Sequence, residues 1–128
     1  MYEYHGCYTS NWSRKSNVPI SEEGISDCHN MCQASGFTYF GFECPMGKDV
    51  HCECSRTLNS NHAVDLQKCQ NFNTKSGSHC SGPFSISTNI GTYDMGAGDL
   101  NSAYAVKQTT SGELDTKIGI IWLTKLYW

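Results

Sequence analysis

Eight cysteines in 128 residues constrain this chain more than any other feature. The number is even and the density several times ordinary usage, a mark of small secreted scaffolds whose cores need covalent staples. Zinc is the rival use of clustered thiols. Cys28 and Cys32 are four apart and Cys52-Glu53-Cys54 is a C-x-C. Neither is the C-x-x-C type of knuckle in which a tight turn aims two sulfurs at one ion. The spacing therefore predicts four disulfides, with no metal and no cofactor.

Composition supports a secreted or cell-surface domain. Charged residues make up only 16%, while Ser, Thr and Asn supply 34 of the 128 positions. The net charge of −3 comes with no basic block, which argues against a nucleic-acid partner. No run of about 18 apolar residues is present, so no transmembrane segment is expected. Residues Met1 to Gly6 hold no apolar leader core, so secretion implies a signal peptide already removed. Asn11-Trp12-Ser13 is an N-glycosylation sequon and points the same way.

Local patterns predict one main helix over about 21–35. Ser21 suits the N-cap, Glu22 and Glu23 suit the positive end of the helix dipole, and Ile25, Cys28, Met31 and Cys32 share one face. Gly36 is placed to close the helix in the left-handed conformation. Strands are expected over Phe37–Glu43, His51–Ser55, Phe84–Thr88, Ala103–Val106 and Ile118–Leu123. The stretch from Asn71 to Ser81 reads as an irregular loop, and two glycine-rich loops surround Gly91 and Gly96-Ala97-Gly98. The fold class is a small disulfide-rich α+β domain, a twisted antiparallel sheet carrying one helix.

Two of these elements lock together. Cysteines at i and i+4 leave one side of a helix, and cysteines at i and i+2 leave one face of a strand at similar separation. A helix laid on a sheet can thus form Cys28–Cys52 and Cys32–Cys54 side by side. Each closes a loop of roughly 20 to 25 residues, worth about 3 kcal/mol in the chain-entropy model.

Tyr4-His5-Gly6-Cys7-Tyr8, Asp27-Cys28-His29-Asn30-Met31-Cys32, Gly36-Phe37-Thr38-Tyr39-Phe40-Gly41, Cys52-Glu53-Cys54, Cys69 and Cys80-Ser81-Gly82 together resemble a WSC domain, a cysteine-rich extracellular module. The resemblance covers roughly Tyr4 to Ala105, and PAN/apple modules are the nearest alternative. It implies a WSC-like domain over 4–108 and a C-terminal extension over 109–128 that adds a strand or an interface. It also implies that Cys7 closes a long loop to Cys69. Two departures stand out: Asn73 occupies the place of a family cysteine, and Cys44 is extra. The simplest repair pairs Cys44 with Cys80.

The resemblance further implies a non-catalytic module that binds an extracellular or cell-wall polysaccharide, glucan-type first. A protein-interaction or adhesion module, or a secreted effector, is the alternative on the same scaffold. Trp12 and Tyr93 lie in polar contexts suited to stacking on sugar C–H faces. Asn11, Asp94, Asp99 and Asn101 are candidates to bond sugar hydroxyls. Tyr8, Tyr39, Phe40 and Phe42 read as core, Glu53 as solvent-facing and His29 as exposed. The apolar 118–128 tail is a candidate for self-association. No nucleophile motif accompanies the five scattered histidines, so no enzyme activity is expected.

Overall fold

A computed structural model describes residues 1–9, 11–70 and 79–108. The expected strand Ile118–Leu123, the 109–128 extension and most of the Asn71–Ser81 loop lie outside them. The chain runs β1 (Tyr4–Thr9), β2 (Ser13–Pro19), α1 (Glu22–Ala34), β3 (Tyr39–Met46), β4 (Asp49–Ser55), β5 (Ala63–Val64), β6 (Ser85–Thr88), β7 (Gly91–Asp94) and β8 (Leu100–Ala105). Six strands form one antiparallel sheet in the order β2-β4-β3-β8-β1-β5, and β6 and β7 form a separate hairpin.

Helix α1 starts where its sequence says it should. The Gly24 N–H donates to Ser21 Oγ at 3.1 Å, and Glu22 and Glu23 occupy the first turn. The helix ends on Gly36, whose φ of +81° is the left-handed conformation. The Gly36 and Phe37 N–H groups then satisfy the carbonyls of Gln33 and Cys32. Gly24 is obligatory for another reason. A Cβ there would lie 1.7 Å from the Pro19 carbonyl oxygen, so only glycine lets β2 and α1 approach this closely.

Two disulfides, Cys28–Cys52 and Cys32–Cys54, clamp α1 to β4 with Cα separations of 5.5 Å each. Cys7–Cys69 ties β1 to a short 3₁₀ turn over Leu66–Cys69, and Cys44–Cys80 ties β3 to the segment that precedes β6. Beside that last bridge, the Gly82 N–H donates to the Pro45 carbonyl and the Gly47 N–H to the Gly82 carbonyl.

The core lies between α1 and the sheet. From the sheet, Phe40, Phe42, Val50, Cys52, Cys54 and Tyr104 join Val18 in packing with Ile25 of the helix, all essentially buried. Tyr104 packs on Phe40, Phe42 and Tyr93 with ring centroids 5.6, 5.9 and 5.1 Å apart, contacts worth about 0.5–1.5 kcal/mol each beyond area burial.

Two strands come without an expectation, and three expectations are corrected. Strands β1 and β2 carry no strong local signal, and they form because neighbours already hold their partners. The segment at Gly91 is a strand, β7, rather than a loop. His29 is buried, stacked on Tyr2 at 4.6 Å, and its Nε2 accepts the Lys107 N–H. Tyr8 and Tyr39 are only half-buried, because alternation along β1 and β3 sends them to the face away from the helix.

Candidate functional site

The sheet face opposite α1 collects the polar side chains. Alternation along the strands puts Gly41, Glu43, His51, Glu53 and Asn101 there, the counterparts of the residues that face the helix. Tyr8 pairs with Asn101 in the β1–β8 register and shares that face. Three strands separate β1 from β2 in the sheet, so the short connection between them must cross it. Trp12 lies on this crossover. Its Cζ3 comes within 2.8 Å of the position a Cβ at Gly41 would take, so the indole rests where Gly41 leaves room.

Beside the indole is a small open cleft of about 140 Å³, lined by Tyr8, Asn11, Trp12, Ser55, Thr57, Asn59 and His62. Trp12 is half-buried and Asn11 is exposed at the rim. On the other side of Gly41 lies a charged network. Arg14 Nε and Nη2 donate to Glu53 Oε2 and Glu43 Oε1 at 3.3 and 3.4 Å. His51 Nδ1 lies 2.7 Å from Glu43 Oε1, the Asp99 N–H donates to Glu43 Oε2, and Asn101 Nδ2 donates to Glu53 Oε1. All four carboxylate oxygens therefore have donors. Glu43 and Glu53 have side chains only 5% and 2% exposed, so the half-exposed Arg14 guanidinium caps two charges that would be costly to bury alone.

Donor atoms of Glu43, His51 and Glu53 lie within 4.8 Å of one another, a spacing compatible with a cation. In this arrangement Arg14 supplies the counter-charge instead. The other such group, Cys28, Cys32 and Cys52, is taken up in disulfides.

The structure brings only some of the expected ligand residues together. Trp12 and Asn11 share the cleft. Tyr93 does not reach solvent: it is 0% exposed, its hydroxyl donating to the Ile90 carbonyl and accepting the Tyr2 N–H. Its position in β7, facing Tyr104, makes it core. Asn101 is likewise 0% exposed and serves Glu53 rather than a ligand. Asp94 is half-buried on β7, where its carboxylate accepts from Gln70 Nε2 at 2.9 Å. Asp99 is exposed at the turn into β8, with a φ of +60°. Glu53 is buried, not solvent-facing, because the crossover and Arg14 cover that face of β4.

Sequence reasoning missed Tyr8, Ser55, Thr57, Asn59 and His62 as cleft residues. One signal was available: in Cys52-Glu53-Cys54-Ser55 the two cysteines take the helix side, which assigns Glu53 and Ser55 to the other face. Two tyrosines on the helix side titrate abnormally. Burial, and then the Asp94 charge, push the Tyr4 hydroxyl well above the usual phenol range. Burial does the same at Tyr104, partly offset by its backbone hydrogen bond to Asp94. Among the described residues no helix is long and apolar enough to cross a membrane. No protein-family model matches the chain, and no curated protein matches it.

Proposed function

We propose that this is a WSC-type module that holds an extracellular polysaccharide, glucan-type first, in the open cleft without turning it over. The observation that carries this reading is Trp12, an indole held on the open sheet face beside Tyr8, with Asn11, Ser55, Thr57 and Asn59 around it. A pyranose ring offers C–H faces to such rings and hydroxyls to such amides and alcohols. Four disulfides are compatible with an extracellular setting. Against catalysis stands the cleft lining, which among the described residues includes no carboxylate, and the state of Glu43 and Glu53 on the same sheet face, which are buried and fully engaged by donors. A glycosidase needs one acid able to protonate a leaving group in contact with substrate.

A shallow cleft of this kind gives micromolar to millimolar affinity, about −8 to −4 kcal/mol. Glycan arrays and pull-downs on insoluble glucan, chitin and xylan test the reading. Retention is expected on at least one polysaccharide, and Trp12→Ala should lose it while all four disulfides persist. Release of reducing ends, or no retention on any glycan, overturns it.

A further inference from the structure

Asn11 and Trp12 enter the binding reading as cleft residues, but the acceptor motif they form with Ser13 does not, and the fold sets that motif at the mouth of the cleft. Asn11 and Ser13 are both exposed, and Asn11 and Trp12 line the same cleft. We propose that Asn11 is an N-glycan attachment site and that the attached sugar covers Trp12, so glycosylation gates the cleft. The gating role rests on the polysaccharide reading; the modification itself does not.

The chemistry needs a lipid-diphosphate-linked oligosaccharide, the donor class used in oxidative secretory compartments, where four disulfides would also form. The Asn11 side-chain nitrogen attacks the donor's C1. The N–C1 bond forms, the bond from C1 to the diphosphate oxygen breaks, and the lipid diphosphate leaves while one amide proton passes to base. Ser13 supplies the hydroxyl that the acceptor motif requires.

The consequence follows from tethering. A sugar linked one residue from Trp12 meets the indole at an effective concentration on the order of millimolar or more. A free ligand that binds in the micromolar to millimolar range then competes with an occupant that cannot diffuse away. Glycosylated protein is expected to bind soluble glucan oligosaccharides more weakly than unmodified protein, by about twofold if the cleft holds its sugar with millimolar affinity and by more if it holds it tighter.

The test compares wild type and Ser13→Ala, both secreted from a eukaryotic host. Ser13→Ala removes the acceptor motif but leaves Asn11, Trp12 and the cleft in place. Intact mass and peptide mapping read occupancy, with the glycan expected on Asn11 of wild type and absent from Ser13→Ala. Acrylamide quenching reads the cleft without any ligand. Because the chain has three tryptophans, the Trp12 signal is taken as the difference from matched Trp12→Phe proteins. Trp12 should be less quenched in the glycosylated protein, and trimming the glycan with a peptide N-glycanase should restore quenching. An unmodified Asn11 on folded, secreted wild type overturns the proposal, and so does equal quenching of the two glycoforms. If Ser13→Ala binds no glucan oligosaccharide while quenching still differs, the polysaccharide reading fails and the shielding of Trp12 by the glycan stands.

Discussion

Trp12 lies across Gly41, its Cζ3 2.8 Å from where a Cβ on that residue would project. The same Cβ would stand 2.9 Å from Asn101 Oδ1 and 3.1 Å from the Ser102 carbonyl oxygen. The indole can yield, but the backbone of β8 cannot. Gly41→Ala should therefore destabilise the domain by about 1–3 kcal/mol, the usual range for overpacking. It should also lift Trp12 from the sheet, seen as a red-shifted Trp12 emission in chemical denaturation experiments.

Arg14 is the half-exposed cap on two buried carboxylates. Removing it in Arg14→Met keeps much of the aliphatic cover but leaves Glu43 and Glu53 without their shared cation. Stripping one partner from a fully buried pair costs about 3–5 kcal/mol, and solvent reaching Arg14 reduces that to about 1–3 kcal/mol here. Urea unfolding of the variant measures the loss. No change in midpoint would show that His51, Asn101 and the Asp99 N–H suffice.

Tyr4 and Tyr104 should make the fold fail at alkaline pH. Their folded pKa values are raised, so between the ordinary phenol value of about 10 and the folded values the unfolded chain releases protons that the native chain retains. Stability is fully present below about pH 10 and falls as pH rises beyond it. Absorbance at the phenolate band should show Tyr4 and Tyr104 ionising only as the protein unfolds. Tyr104→Phe should flatten this dependence, although it also removes the hydroxyl that accepts the Asp94 N–H at 2.7 Å.

Cys44–Cys80 spans 36 residues. In the chain-entropy model such a closure contributes roughly 3–4 kcal/mol. The double variant Cys44→Ser/Cys80→Ser should lose about that much while Cys28–Cys52 and Cys32–Cys54 persist in non-reducing peptide maps. Hydrogen exchange should rise first at Gly47 and Gly82, whose backbone bonds stand beside the bridge.

Signals confined to one turn or one strand are legible in the amino-acid sequence by itself. Ser21, the acidic first turn and Gly36 delimit α1, because capping and dipole interactions act within four residues. The i, i+4 and i, i+2 cysteine spacings carry the helix-to-strand clamp, since each spacing names one face of its own element. The α+β class follows from those two facts together. Nothing local distinguishes Tyr93 in core from Trp12 on the open face, since both sit among polar neighbours in sequence. The sheet order decides between them. β7 lies against Tyr104 and buries Tyr93, whereas the β1-to-β2 crossover spans three strands and lays Trp12 over Gly41. Glu53 and Asn101 are buried for the same reason: each finds its partner on a strand far away in sequence, and Arg14, directly opposite Glu53 on the neighbouring edge strand β2, neutralises the charge. Such pairings are set by which distant strands lie side by side, a sum of many contacts that no single segment encodes.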